Sequence, residues 1–148
     1  TPLHAEIYKK RPDVGGIVHT HQRVTLAFGA AKRKILPLQG IMAWMVEKDL
    51  PVFSSSLMVS TVDAGKKVAQ LLGQYQACHL KNHGVVVVGK TVEEAVISCI
   101  DLEDQAKLTM MAESLGKPDV MSKKEIALKK ERTQIHVDAS WRYLNSLS

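Results

Sequence analysis

The sequence lacks a long apolar segment, because no run approaches the ~20 residues that a helix needs to span a bilayer. We therefore expect no membrane partner. The chain also lacks an initial Met, and its first residues, Thr1-Pro2-Leu3-His4, do not resemble a signal peptide. We expect an N-terminus that is processed, trimmed or incomplete. Internal repeats and low-complexity segments are absent as well.

Cysteine and aromatic residues are scarce. Cys78 and Cys99 lie in apolar surroundings and form no C-x-x-C pair, so we expect two buried free thiols and a reducing, cytoplasmic location. Aromatic residues make up 5% of the chain, and none is interleaved with the basic runs near residues 32–34 and 123–132. The net charge of +5 therefore predicts solvated surfaces, or a field that attracts anionic small molecules, and no nucleic-acid partner.

The remaining composition is that of one globular domain spanning residues 1–148, with 45% hydrophobic and 24% charged residues. Helix-like and strand-like segments alternate, which predicts an α/β fold with a central sheet covered on both faces. We expect helices at 1–11, 24–31, 61–72, 91–115 and from 122 to Trp141 or beyond, and strands at 15–21, 35–38, 51–53, 77–80 and 85–88.

Finer expectations concern helix ends and the C-terminal region. Thr91 with Glu94, and Ser122 with Glu125, have the spacing of capping boxes. In the helix at 61–72 we expect Val68, Leu71 and Leu72 to face inward. A hinge at 115–121 separates a C-terminal helical segment, 122–148, that we expect to act as a lid or a subunit contact.

Histidines carry the clearest chemical signal. In the stretch Gly15 to His21, His19 and His21 are separated by one residue, so a strand would point both imidazoles the same way. Two convergent imidazoles are half of a metal site. His83 is the natural third ligand, because Asn82-His83-Gly84 forms a turn between two apolar strands, and Gly84 allows a conformation that a bulkier residue would resist.

For the other three histidines we expect structural or surface roles in preference to metal binding. We expect His79 to face the core from within a strand, and His136 to be exposed on a basic helix. His4 lies one turn into the first helix, where a structural role, or one beside the site, is expected in preference to ligation.

Five segments together resemble the class II aldolase/adducin family. They are residues 3–8 (LHAEIY), 11–14 (RPDV), 18–21 (VHTH), 80–84 (LKNHG) and 91–95 (TVEEA). The resemblance runs from Thr1 to about Ala106. It implies a three-layer αβα sandwich around a mostly antiparallel or mixed sheet, assembled as a homo-oligomer, with a tetramer favoured and active sites between subunits.

The resemblance also implies a chemistry. His19, His21 and His83 would bind a divalent metal, with Zn²⁺ expected first and Mn²⁺ or Mg²⁺ as alternatives. Three imidazoles leave positions open for substrate. The metal would act as a Lewis acid and stabilise the enediolate left when a C–C bond next to a carbonyl or hydroxyl breaks. The implied protein is an aldolase or a decarboxylase acting on a sugar phosphate or a hydroxy or keto acid.

Alternatives remain open at this point. The same fold supports epimerisation at C4 of a pentulose phosphate, and an adducin-like member would be a non-catalytic interaction module. Three retained histidines argue against the module, because a scaffold has no need of a metal site. The chain by itself could also bind metal and yet catalyse nothing.

Two departures from the family pattern bear on catalysis. The family's catalytic Glu or Asp would fall directly before Thr1. Glu6 is a possible substitute, although a carboxylate on the helix surface is the expected reading. The tyrosine that sugar-phosphate aldolases place after an Ile-Pro segment is missing after Ile35-Leu36-Pro37, which favours a decarboxylase or a non-sugar aldolase. Tyr143, or Trp141, is a late aromatic that could act at a neighbouring site or anchor the last helix.

Overall fold

The computed structural model describes residues 1–147. The described chain forms six α-helices, one 3₁₀-helix and four strands. In chain order these are α1 (Pro2–Lys10), β1 (Gly16–Thr20), α2 (Arg23–Ala31), the 3₁₀-helix (Ile41–Val46), β2 (Val52–Phe53), α3 (Val62–Leu72), β3 (Ala77–Leu80), β4 (Gly84–Gly89), α4 (Val92–Leu115), α5 (Lys123–Lys130) and α6 (Thr133–Asn145).

The four strands form one mixed sheet in the order β1-β4-β3-β2. β4 pairs antiparallel with both β1 and β3, whereas β2 pairs parallel with β3. In the β1–β4 pair, His19 lies opposite Val86 and Thr20 lies opposite Val85. The C-terminal end of β1 therefore lies beside the start of β4.

β4 is buried along its whole length because helices cover both faces of the sheet. Its side chains alternate, as strand geometry requires. Val86 and Val88 join a core cluster with residues of α1 and α3, while Val85 and Val87 join a second cluster with residues of α2, the 3₁₀-helix and α4. The predicted three-layer αβα sandwich around a mixed sheet is confirmed.

The predicted strand at 35–38 is wrong. The segment is extended, but side chains of α4 satisfy its backbone groups in place of a neighbouring strand. The Leu36 N–H donates to the Thr109 hydroxyl at 2.9 Å, and the Leu38 N–H donates to the Gln105 side-chain oxygen at 3.3 Å. Its apolar pattern arises because Ile35 is buried in the core cluster under α2 and α4.

The prediction of a single C-terminal helix from Ser122 is also wrong, because residues 131–132 interrupt the helix and separate α5 from α6. At the break, the Thr133 hydroxyl donates to the Lys130 carbonyl at 2.7 Å and accepts from the Trp44 indole N–H at 3.0 Å. Lys130 also lies over the Trp44 ring, 4.6 Å from its centroid. These contacts hold α5 on the 3₁₀-helix and let α6 turn to pack on α4.

Of three finer predictions about the helices, one is confirmed and two are wrong. The Ser122–Glu125 capping box is present, with both reciprocal bonds formed. In contrast, Glu94 accepts from the N–H of Lys90, not of Thr91, so this pair is a simple Thr91 N-cap. Leu71, predicted to face inward, is 39% exposed, since the inner face of α3 is made by Val68, Ala69 and Leu72.

Cys78 and Cys99 are both buried and free, as predicted. They belong to the two different core clusters, on opposite faces of the sheet. Among residues 1–147, no helix combines the length and the apolar character that crossing a membrane would require.

Candidate metal centre

Three histidines meet where the end of β1 lies beside the start of β4. His19 is in β1, His21 follows directly after the strand, and His83 directly precedes β4. Because β1 and β4 run antiparallel with Thr20 opposite Val85, these two chain segments meet at one corner of the sheet. The three side chains that the sequence predicts as ligands are thus brought together.

The imidazole rings surround a common point. Ring centroids lie 5.0 Å apart for His19 and His21, and 4.9 Å apart for each of the other two pairs. One nitrogen from each ring lies within 4.8 Å of the others, so the group could hold a metal ion. The Nε2 atoms of His19 and His21 are 3.3 Å apart. Two nitrogens bound to one tetrahedral Zn²⁺ lie roughly 3.4 Å apart, so this pair has the spacing of co-ligands.

The tautomer of His19 is fixed by the sheet. Its Nδ1 lies 3.0 Å from the Val85 carbonyl oxygen, which can only accept, so Nδ1 carries the proton. The lone pair of Nε2 is therefore directed toward His21. Backbone carbonyls orient metal-binding histidines in this way. Burial lowers the pKa of His19, opposed by the Val85 hydrogen bond and assisted by the nearby His83 and His21, which favours the neutral ring that a ligand needs.

His83 lacks such a support. Its Nδ1 atom is buried and has no hydrogen-bond partner within residues 1–147. Its backbone is held in place, since the His83 N–H donates to the Leu80 carbonyl at 3.0 Å and closes the turn. A buried ring nitrogen without a protein partner fits a residue whose partner is a bound ion.

Gly84 is needed for a reason other than the unusual backbone conformation that the sequence suggested. The residue in the left-handed conformation is Asn82, with φ of 55°, and not Gly84. Asn tolerates this region better than most side chains do. Gly84 is needed for close approach instead, because a Cβ there would lie 2.2 Å from the Thr20 carbonyl oxygen and 2.9 Å from the His21 ring.

Hydrogen bonds to α4 hold the segment that carries His21. The Thr20 hydroxyl lies 3.2 Å from the Cys99 sulfur, and the Gln22 side chain donates to the Cys99 carbonyl at 2.9 Å. Three further bonds tie the first turn of α2 to one carboxylate of α4. Glu103 accepts from the backbone N–H groups of Val24 and Thr25 and from the Thr25 hydroxyl, at 3.1, 2.9 and 2.8 Å.

A cavity of about 540 Å³ opens beside the three histidines. Its other lining residues are Thr1, Pro2, Leu3, His4, Met58, Val59, Ser60 and Leu80. The volume is in the usual range for small-molecule sites. In the described part of the chain, no Asp, Glu, Lys or Arg lines this cavity, so its polar side chains are the imidazoles and the hydroxyls of Thr1 and Ser60.

His4 lies beside the site without joining the cluster of three. It is half-buried on α1 and lines the cavity. Burial lowers its pKa. This position fits the expected role beside the site.

Glu6 does not reach the site. It lines a separate cavity between α1 and α3 and pairs with Lys9 at 2.6 Å. The expectation that it lies on the helix surface is wrong, because it is only 5% exposed under the close contact with Gly65 of α3.

Two other histidines lie away from the centre. His79 is buried, 3% exposed, as predicted, and desolvation lowers its pKa to about 4. His136 was expected to be exposed but is half-buried, because its Nε2 lies 2.6 Å from the Asp101 carboxylate of α4.

The late aromatics also lie elsewhere. Tyr143 is 64% exposed and lines an apolar groove between α4 and α6, and Trp141 lines the neighbouring cavity. Neither lines the histidine cavity. A role for Tyr143 at a neighbouring subunit's site therefore stays a prediction.

Sequence reasoning missed the loop at 58–60. Met58, Val59 and Ser60 line the cavity, although they are more than 35 residues from His19 and more than 20 from His83 in the chain. The loop has no periodicity and no ligand motif, so no local signal places it there.

The chain belongs to the class II aldolase and adducin family, because residues 1–110 match the family's model, the Class II Aldolase and Adducin N-terminal domain. This confirms the resemblance found in the sequence.

Curated relatives include proteins named as decarboxylases and proteins named as aldolases. The chain is 36% identical over 118 residues to decarboxylase NovR from Streptomyces niveus, covering 79% of this chain and 43% of that protein. It is 30% identical over 113 residues to an L-fuculose phosphate aldolase from Methanococcus maripaludis, covering 76% of this chain and 61% of that protein. The chain spans about half the length of the curated relatives it matches.

A solved structure supports the fold. The L-fuculose 1-phosphate aldolase from Glaciozyma antarctica superposes with a TM-score of 0.77 over 98% of this chain and 57% of that one, at 22% identity. At this identity the likeness shows the shared αβα architecture alone.

Proposed function

We propose that this chain carries the metal centre of a metal-dependent lyase, an aldolase or a decarboxylase, that cleaves a C–C bond next to a carbonyl or hydroxyl. The observation that carries the proposal is the convergence of His19, His21 and His83, with the first two at co-ligand spacing. The family membership and the names of the relatives agree with it.

Zn²⁺ is the metal that fits the three residues best. Imidazole suits Zn²⁺ well, whereas Mg²⁺ prefers oxygen ligands and Mn²⁺ is the weaker alternative. Three neutral nitrogens would leave at least one position for substrate. When bound, the ion supplies Lewis acidity that stabilises the negative charge developing on substrate oxygens as the C–C bond breaks.

The chain's own residues prepare this site. The Val85 carbonyl holds the proton of His19 on Nδ1, so Nε2 is the ligating atom. Gln22 and Thr20 anchor the chain around His21 to α4. The apolar side chains around the histidines exclude water from part of the cavity and so strengthen electrostatic interactions inside it.

A general acid or base remains to be assigned. None of the carboxylates in residues 1–147 lines the cavity. The family resemblance places the catalytic Glu or Asp directly before Thr1, and Thr1 itself lines the cavity, so we propose that position for the group.

The substrate proposed is a small anionic molecule, either a sugar phosphate or a hydroxy or keto acid. Several relatives are named as decarboxylases or as aldolases, and both reactions leave negative charge beside the broken bond. The tyrosine missing after Pro37 favours a decarboxylase or a non-sugar aldolase.

We further propose a homo-oligomer, with a tetramer favoured, located in the cytoplasm. Support for assembly comes from the family resemblance and from apolar side chains that α5 and α6 expose, among them Leu128, Ile135 and Tyr143. Support for the location comes from two buried free thiols, which suit a reducing compartment.

Activity measurements on the zinc-loaded full-length protein, with the position before Thr1 present, test the proposal. CO₂ release from hydroxy and keto acids would indicate a decarboxylase, and release of an aldehyde fragment from L-fuculose 1-phosphate would indicate an aldolase. Conversion of ribulose 5-phosphate without fragmentation would indicate the epimerase. We expect His19→Ala to reduce cleavage by at least about a hundredfold.

The matched control is His136→Gln, which alters a histidine on α6 outside the cluster. It should leave cleavage unchanged. The proposal is wrong if the full chain binds no divalent metal, or if His19→Ala retains full activity.

A further inference from the structure

His21 lies in the two-residue connection between β1 and α2. Because β1 ends at Thr20 and α2 begins at Arg23, His21 belongs neither to the sheet ladder nor to a helix. Within residues 1–147, the one hydrogen bond of its ring is the 3.3 Å contact with Nε2 of His19, so no backbone carbonyl orients this imidazole. The position of the His21 ring therefore depends strongly on how its two neighbours in the chain are held.

Both neighbours of His21 are bound to one residue of α4. The Thr20 hydroxyl lies 3.2 Å from the Cys99 sulfur. Gln22 makes two contacts with the same residue, because its Nε2 donates to the Cys99 carbonyl at 2.9 Å and its Oε1 lies 3.4 Å from the sulfur. Cys99 thus bridges the two residues that flank His21.

The direction of each hydrogen bond follows from the atoms present. The Cys99 carbonyl can only accept, so the amide nitrogen of Gln22 faces it and Oε1 faces the sulfur. A thiol has one hydrogen, which it donates to Oε1, and the sulfur therefore accepts from the Thr20 hydroxyl. Burial raises the pKa of the Cys99 thiol, opposed by the Thr20 hydrogen bond and assisted by the Glu103 carboxylate, so the thiol keeps its proton.

The bridge starts from a closely packed part of the core. Cys99 lies within α4 and is 3% exposed. It belongs to the core cluster that also contains Val85 of β4, whose carbonyl orients His19. Close packing leaves little room for such a residue to shift. The same cluster therefore supports His19 through β4 and His21 through the Cys99 bridge.

We propose that Cys99 is a positioning residue of the metal centre, whose thiol holds Thr20 and Gln22 and so fixes where His21 presents its ring. The inference rests on the proposed function, since it takes His21 as a metal ligand. The Cys99 sulfur is not among the atoms that converge on the metal position. Its effect on binding is nevertheless large, because metal–nitrogen distances tolerate only about ±0.2 Å.

Two substitutions at Cys99 separate hydrogen bonding from packing. Cys99→Val keeps an apolar group in the core but cannot hydrogen-bond, whereas Cys99→Ser keeps both a donor and an acceptor. In competition with a chromogenic chelator, we expect Cys99→Val in the full-length protein to weaken Zn²⁺ binding by at least about tenfold, and Cys99→Ser by less than about threefold. Wild-type affinity in Cys99→Val, or an equally large loss in Cys99→Ser, would overturn the inference.

Cys78 provides the matched control. It is also a buried free thiol, but it belongs to the other core cluster, where its sulfur donates to the His79 carbonyl at 3.5 Å. Cys78→Val should lower the urea midpoint of the metal-free protein about as much as Cys99→Val does, yet leave Zn²⁺ affinity unchanged. An equal loss of affinity in both variants would reflect a general loss of stability and would refute a positioning role for Cys99.

The geometry of the centre can be read with Co²⁺ in place of Zn²⁺, because the visible absorption bands of Co²⁺ depend on the arrangement of its ligands. At saturating Co²⁺, the bands should shift in Cys99→Val and return to those of the wild type in Cys99→Ser. Identical spectra for the wild type and Cys99→Val would contradict the inference.

Failure of this inference and failure of the proposed function give different results. If the wild type binds Zn²⁺, His19→Ala weakens that binding and Cys99→Val does not, the inference is wrong and the metal centre stands. If the wild-type full-length protein binds no Zn²⁺, the metal centre is wrong, and the inference with it.

Discussion

Replacing Gly84 by Ala should damage the metal centre much more than the fold. A Cβ at Gly84 would lie 2.2 Å from the Thr20 carbonyl oxygen, against about 3.4 Å for an ordinary contact, so β1 and β4 must separate locally by about 1 Å. The same Cβ lies 2.9 Å from the His21 ring. Metal–nitrogen distances tolerate only about ±0.2 Å, so one ligand should be lost.

The expected size follows from that displacement. We expect Gly84→Ala to weaken Zn²⁺ binding by at least about a hundredfold, measured by competition with a chromogenic chelator. Overpacking of this kind costs about 1–3 kcal/mol, so the free energy of unfolding of the metal-free protein in urea should fall by that amount.

Gly16→Ala is the matched control at the opposite end of the β1–β4 pair, where Gly16 lies beside Gly89. A Cβ there would lie 2.4 Å from the Thr91 carbonyl oxygen, so a similar loss of stability is expected. Zn²⁺ affinity should be unchanged, because no histidine of the centre contacts this end. Gly84→Ala with wild-type Zn²⁺ affinity, or an equally large loss of affinity in Gly16→Ala, would refute the reasoning.

Two further predictions concern stability. Burial lowers the pKa of His79 to about 4, so the unfolded chain, with a pKa near 6.5, takes up a proton that the folded chain does not. The free energy of unfolding of the metal-free protein should therefore fall by up to about 3 kcal/mol between pH 6.5 and 4. Urea titrations of His79→Leu should show a weaker dependence on pH. An unchanged pH dependence in this variant would contradict the prediction. Glu103→Ala removes three hydrogen bonds at the start of α2 and should cost about 2 kcal/mol, whereas Asp104→Ala, beside it on the surface, should cost less than about 0.5 kcal/mol; equal costs contradict the prediction.

The three histidines could be predicted from the sequence because the signal is local. A single intervening residue aligns His19 and His21 on a strand, and a short turn between apolar strands presents His83. The pairing that brings the two segments together is not local. It depends on β4 pairing antiparallel with β1 across more than 60 residues of sequence, and no pattern within either segment indicates that pairing.

The two wrong predictions of secondary structure have a common cause, which is that contacts with distant side chains decide the local conformation. The segment at 35–38 has a strand-like apolar pattern, but Thr109 and Gln105 of α4 take its N–H groups. The break between α5 and α6 contains no Pro or Gly, and it is held by Thr133 against Trp44, 89 residues away. The position of Met58 at the cavity could not be predicted either, since its loop is placed by the burial of Val59 in the core and by no pattern of its own.

The most direct test of the account is the coordination of Zn²⁺ in the full chain, measured by X-ray absorption at the zinc edge. With one equivalent of Zn²⁺ bound, we predict three imidazole nitrogens at about 2.0 Å and one exchangeable oxygen, falling to two imidazoles in His19→Ala. Sulfur ligation, or a coordination shell that His19→Ala leaves unchanged, would contradict the assignment of the centre to His19, His21 and His83.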